Sequence, residues 1–197
     1  MSIERVGVIG GGQMGAGIAE VSARAGVDVL VYEPTEALTT AGRNRIVKSV
    51  ERGVSAGKIT DRERDAAIAN LNFTTDLAEL ADRQLVIEAV IEDETVKTGI
   101  FAELDRVIID PDAVLASNTS SIPIMKLGAA TANPGRVLGL HFFNPVPVLP
   151  LVELVCTLVT DEAAAARTAN DAERQRAESV ARIADLETAN VSSERGM

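Results

Sequence analysis

Two hydrophobic patterns alternate along this chain: short, nearly continuous apolar runs, and longer stretches in which apolar residues recur every three or four positions. VGVI (6–9), DVLVYE (28–33), QLVIEAV (84–90), AVLASN (113–118), RVLGLHFF (136–143) and PLVELVCTLV (150–159) read as strands, and NFTT (72–75) as a further edge strand. Between them the spacing predicts helices from about Met14 to Arg24, from Thr35 to Ala56, over 60–71 behind a Thr/Asp cap, and over 94–108. Strands that are apolar on both faces and alternate with helices belong to a parallel sheet covered on both sides. The predicted class is therefore α/β, a Rossmann-type doubly wound sheet. The connection NPVPVLP (144–150) is too short for a crossover helix, so the last two strands are expected to pair antiparallel at one edge.

After Thr160 the pattern thins. Residues 161–197 are alanine-rich and polar, with Val180, Ile183, Leu186 and Val191 as the main aliphatics, too few for a second core. The expected organisation is a domain over 1–160 followed by a polar helical or frayed tail over 161–197.

Composition narrows the partners. A net charge of −10 without a basic stripe argues against nucleic acid or an anionic membrane. No apolar run approaches the ~18 residues of a membrane span, and Glu4 and Arg5 interrupt any signal-peptide core. The single cysteine, Cys156, forbids an internal disulfide, fits a reducing compartment and reads best as a small buried hydrophobe. A cytoplasmic protein is expected, with no metal site.

The first strand runs directly into Gly10-x-Gly12-x-x-Gly15, which opens a helix. Gly10 suits the tight turn, Gly12 lets a diphosphate approach the main chain, and Gly15 permits close helix–strand packing. Unpaired N–H groups at the helix start favour the anion, with Gln13 and Met14 between the second and third glycines. Glu33 ends the second strand 23 positions after Gly10, where an acid grips ribose hydroxyls. A carboxylate there repels a 2′-phosphate and no arginine follows it closely, so NAD is expected over NADP.

Ligands of such sheets bind beyond the carboxyl ends of the strands. Those ends carry Glu92, SNTSS (117–121) and HFFNP (141–145), which includes the sole histidine. His141 is a candidate general base for hydride transfer, although a lone histidine is often structural. Glu153, 12 positions on in the returning strand, either orients that imidazole or pairs with a structural cation. Ser120 or Ser121 is placed to bond the reacting oxygen, and Asn144 to bond it or the cofactor. One of these serines can also cap a helix over SIPIMKLGAA.

VIGGGQMGAGIAEVSARAG, VIEAVIED, LASNTSSIPI and GLHFFNPVPVLPLVELV resemble the NAD-binding domain of the 3-hydroxyacyl-CoA dehydrogenases, nearest to the bacterial 3-hydroxybutyryl-CoA enzymes, over about residues 3–165. The resemblance implies His141 as base, Glu153 as its orienting partner, and Ser120 on the 3-oxygen near the nicotinamide. It implies Asn144, Glu92 and Lys97 as NAD contacts, Glu33 on the ribose, and a looser match of Ser49 and Lys58 to coenzyme A contacts. The implied reaction converts (3S)-3-hydroxyacyl-CoA and NAD to 3-oxoacyl-CoA and NADH, as in β-oxidation or butanoate metabolism. The family continues into a helical domain that forms one wall of the cleft and a homodimer interface. No counterpart of that domain is expected in this sequence, whose tail reads as a truncated or out-of-frame end. A cofactor-binding module with weak or no turnover is therefore the second reading. A 6-phosphogluconate-type dehydrogenase is a third, disfavoured because that group's catalytic lysine context is missing.

Overall fold

A computed structural model describes residues 2–170. Seven strands form one sheet in the order β3-β2-β1-β4-β5-β6-β7. They are β1 (Arg5–Ile9), β2 (Asp28–Tyr32), β3 (Leu71–Thr74), β4 (Leu85–Glu88), β5 (Val114–Ser117), β6 (Val137–Phe142) and β7 (Val152–Val155). Neighbours are parallel except β6 and β7, which run antiparallel as the short connection requires. NFTT is the edge strand beside β2.

The helices are α1 (Gln13–Arg24), α2 (Glu36–Ser55), α3 (Asp61–Ala69), α4 (Glu94–Val107) and α5 (Ile124–Gly128). Local chemistry sets their starts. Thr35 and Asp93 cap α2 and α4 by accepting main-chain N–H bonds, and Thr60 with Glu63 closes a capping box on α3. Side chains of successive strand residues alternate between two cores. Val29, Val31, Val114 and Ala116 face one, with Ile18, Ile46 and Val50 from the helices. Leu30, Val86 and Leu115 face the other, with Phe101, Leu104 and Leu127.

Several boundaries differ from expectation. The helix expected over SIPIMKLGAA shrinks to α5, because Pro123 sits at its start and excludes the residue before it from helical backbone. β7 stops at Val155, where the chain turns and Thr160 Oγ1 donates to the Val137 carbonyl, so Cys156, expected to be buried, lies just past the strand and is exposed. The segment expected to open a polar helical or frayed tail is helical over 162–170, in keeping with the first alternative, and it is docked. Ala164 and Thr168 are buried, and Arg167 pairs with Asp112. The rest of the expected tail, 171–197, lies outside the described residues.

Candidate active site

The strand order reverses direction of growth between β1 and β4, which opens a crevice at their carboxyl ends. The glycine turn lies there. Gly10 adopts φ +93°, a conformation that favours glycine. A Cβ on Gly15 would stand 1.8 Å from the Gly10 carbonyl oxygen, so the helix can approach the turn only without one. At Gly12 a Cβ would meet no protein atom within 4 Å. Protein packing therefore does not demand glycine at Gly12, and the open space fits a cradle for a ligand's diphosphate. Glu33 leans back over this turn, its Oε1 accepting the Gly11 N–H at 2.5 Å. The residues present fit a dinucleotide: the main chain from Gly10 to Gly15 with Gln13 and Met14 for the diphosphate, and Glu33 for the ribose.

On the other side of the crevice, Glu92 organises the loop after β5. Its Oε1 accepts from the Thr119 hydroxyl, from Ser121 Oγ at 3.0 Å and from the Ser120 N–H at 3.3 Å, and its Oε2 lies 3.3 Å from Lys97 Nζ. Burial pushes this carboxyl up, but the bonds from Thr119 and Ser121 and the charge of Lys97 outweigh it and hold it below the usual range. Lys97, expected among the cofactor contacts, is only 1% exposed, and Glu88 at the end of β4 accepts from its Nζ at 2.7 and 2.9 Å. Lys97 thus stands one layer below the rim, between the carboxylates of Glu88 and Glu92. Glu88 also accepts from Ser117 Oγ and the Val90 N–H.

These bonds separate the two serines. Ser121 spends its hydroxyl on Glu92, whereas Ser120 contributes only its N–H and keeps an exposed side chain on the groove wall. Neither caps α5, whose start carries no side-chain cap bond.

In the β6–β7 register His141 lies directly opposite Glu153, and Nδ1 of the ring is 3.0 Å from Glu153 Oε2. The imidazole packs on Phe143 with centroids 4.7 Å apart. His141, Ser120, Glu92, Asn118, Asn144, Met14 and Phe143 line a groove of about 370 Å³. Asn144 also borders a second groove of about 390 Å³ between α1, α2 and residues 144–147, and accepts a bond from Gln13 Nε2 at 3.1 Å. Ser49 lines this second groove with Arg45 and Arg52. Lys58 lines neither groove, because α2 runs on to Ser55 and the chain turns away at Gly57.

Sequence reasoning missed Glu88, Thr119 and Asn118. Asn118 Oδ1 accepts the Phe142 N–H and so ties the end of β5 to that of β6. An acid inside the apolar run QLVIEAV was the available signal for Glu88, since a buried carboxylate requires a partner. Glu20, buried on α1, and Arg45, which donates to the Gly11 carbonyl, were also missed.

A doubly wound sheet with a glycine cradle at its switch point, facing a histidine–carboxylate pair, defines a dinucleotide-binding domain of the dehydrogenase type. The model for the 3-hydroxyacyl-CoA dehydrogenase NAD binding domain matches residues 5–185, and the chain belongs to that family. A 3-hydroxybutyryl-CoA dehydrogenase of Mycobacterium tuberculosis is 74% identical over 184 residues, covering 93% of this chain and 64% of that protein. A probable 3-hydroxybutyryl-CoA dehydrogenase of Deinococcus radiodurans is 41% identical, covering 86% and 60%. Among solved structures, M. tuberculosis FadB2 superposes with a TM-score of 0.88 at 76% identity, over 90% of this chain and 62% of that one. The Escherichia coli 3-hydroxybutyryl-CoA dehydrogenase superposes at 0.85 and 39% identity, over 89% and 37%. The chain thus spans about six tenths of the length of the curated relatives it matches. The family match runs to residue 185, past residue 165 where the sequence resemblance was expected to fade. The alanine-rich stretch carries no distinctive motif by which to follow it.

Proposed function

We propose that this protein oxidises a (3S)-3-hydroxyacyl-CoA, of the 3-hydroxybutyryl-CoA class, to the 3-oxoacyl-CoA with NAD. The observation that carries the reading is His141, paired with Glu153, on the wall of a groove that Met14 of the glycine turn also lines. With Nδ1–H donated to Glu153, Nε2 keeps its lone pair and takes the proton of the substrate hydroxyl. The Glu153 carboxylate fixes that tautomer and stabilises the imidazolium that forms. Ser120 Oγ bonds the 3-oxygen, Asn144 aligns substrate or nicotinamide, and Phe142 and Phe143 keep water from the reacting carbon. When bound, NAD accepts the hydride that leaves carbon 3. Ser49, on the second groove, serves the coenzyme A end. Residence in a reducing cytoplasm belongs to the same reading, whereas the family's homodimer forms through the helical domain expected to be absent here. The free thiol of Cys156 is in keeping with that compartment. Among the described residues, no helix is long and apolar enough to cross a membrane.

The test follows NADH absorbance with acetoacetyl-CoA for the full chain and for His141→Ala, with NADH binding measured alongside. The expected result is a rate that falls about 10²–10⁴-fold in the variant while NADH binding is retained, the range for loss of a general base. Equal rates in both proteins would overturn the assignment of His141. NADH binding with no rate in either would leave the cofactor-binding module as the function.

A further inference from the structure

In the sequence, Glu33 has no arginine close behind it, which favours NAD. The fold supplies one from elsewhere. Arg45 lies 12 positions after Glu33 on α2, and its Nη1 donates to the Gly11 carbonyl at 2.5 Å. Glu33 Oε1 accepts the N–H of that same residue, also at 2.5 Å. A carboxylate and a guanidinium therefore hold one glycine of the cradle from both sides. The approach is possible because Gly42 puts bare main chain of α2 against Gly11, where an added Cβ would lie 3.2 Å from the Gly42 Cα. Arg45 is exposed and gives Gly11 one of its five N–H donors.

We propose that Arg45 is a specificity-determining residue of the cofactor site, a ligand-in-waiting for a 2′-phosphate that Glu33 alone keeps out. The inference rests on the dinucleotide reading of the glycine cradle. A 2′-phosphate arriving at the ribose end meets the Glu33 carboxylate, and like charges at that range oppose binding. With the acid neutralised, the nearest formal charge bonded to the turn is the Arg45 guanidinium, whose planar fork matches phosphate oxygens. Removing the Glu33 charge then does more than lift a repulsion, because it leaves a cation facing the added phosphate. Arg43, the other arginine on this part of α2, lies over the ring of Phe73 at 4.5 Å and is the comparison residue.

The experiment titrates NADH and NADPH into the full chain by nicotinamide fluorescence, with calorimetry as a check. It uses wild type, Glu33→Gln, Glu33→Gln with Arg45→Met, and Glu33→Gln with Arg43→Ala. Wild type is expected to bind NADH at least about tenfold tighter than NADPH, and Glu33→Gln to bring NADPH level with NADH or below it. Adding Arg45→Met should then weaken NADPH about tenfold or more and NADH by no more than about threefold, whereas adding Arg43→Ala should leave the ratio near that of Glu33→Gln. A cofactor ratio unchanged by Arg45→Met, or one abolished by Arg43→Ala, would overturn the role of Arg45. Equal loss of both cofactors on Arg45→Met would also overturn it, leaving a structural clamp on Gly11. If wild type binds no NADH, the dinucleotide reading itself fails, and the inference with it. Far-ultraviolet circular dichroism of each variant separates these outcomes from unfolding.

Discussion

Glu20 carries an ionisable group from α1 into a region that water barely reaches. The residue is 2% exposed, its Oε2 has no hydrogen-bond partner among the described residues, and its Oε1 lies 3.6 Å from Arg24. Burial pushes its carboxyl above the usual glutamate range, while Ser49, Arg24 and Arg52 pull the other way and do not prevail. A folded state that holds the proton more tightly than the unfolded chain is favoured at low pH. That advantage is lost as pH rises from the ordinary glutamate pKa through the raised folded value. Glu20→Gln should therefore melt a few degrees higher than wild type at pH 8, with the gap closing toward pH 4.5. Melting curves across that range check it, and a gap independent of pH would contradict the cause given. The buried Glu88–Lys97 pair is a different case, because each charge has the other as its partner at 2.7 Å, and losing one partner of such a pair costs about 3–5 kcal/mol. Residues of this kind were the least legible part of the site. GxGxxG, Glu33 and His141 announce themselves through spacing or rarity, but the reach of Arg45 to Gly11 depends on how two elements pack. The serines show the same limit, since SNTSS offered equivalent hydroxyls and only the position of Glu92 distinguishes Ser120 from Ser121.

At the level of elements, the turn from β1 into α1 holds the least tolerant position. A methyl on Gly15 would press into the Gly10 carbonyl, which main chain cannot yield without moving the helix start. Gly15→Ala should cost about 1–3 kcal/mol as overpacking and weaken NADH binding at least about tenfold through the displaced N–H groups. Denaturant unfolding and nicotinamide fluorescence measure the two effects. Unimpaired NADH binding by a folded variant would show that the helix start plays no part in cofactor affinity. The elements themselves were largely readable because short apolar runs and capped amphipathic stretches are local signals. Thr35 and Thr60 sit at the expected helix starts, and Thr60 caps its helix as expected. The ends of α5 and β7 were not readable, because Pro123 and the bonds of Thr160 override the apolar pattern there. The antiparallel closure followed from connection length alone, and with it the chance that His141 and Glu153 would meet. Their direct opposition is a matter of register, which the spacing of 12 allowed but did not require.

For the whole molecule, the sheet ends in a strand with one bonded neighbour, β7, and the surrounding surface is apolar. Val148, Leu149, Leu151, Val155 and Val159 are exposed, and Leu158 is 97% exposed. An apolar sheet edge of this kind invites pairing. In sedimentation velocity the chain should self-associate with rising concentration. Leu151→Lys with Val155→Lys should weaken that association at least about tenfold, since each buried aliphatic side chain contributes about 1.5–3 kcal/mol. A wild-type monomer at every concentration would contradict the prediction. The parallel sheet, and a crevice beyond the carboxyl ends of its strands, follow from the alternation of strands and helices. The docking of 162–170 does not, because Ala164 and Thr168 bury small surfaces that no periodic stripe advertises. The contact between Gln13 and Asn144 has its own consequence. It forms a thin bridge between two adjoining chambers, one beside the imidazole and one beneath α2. A bent molecule with its reactive head in the first and its trailing arm in the second must straddle that bridge or part it. Parting it would surrender a single neutral hydrogen bond, worth about 1 kcal/mol, so the partition sorts visitors by their length and curvature more than by its strength.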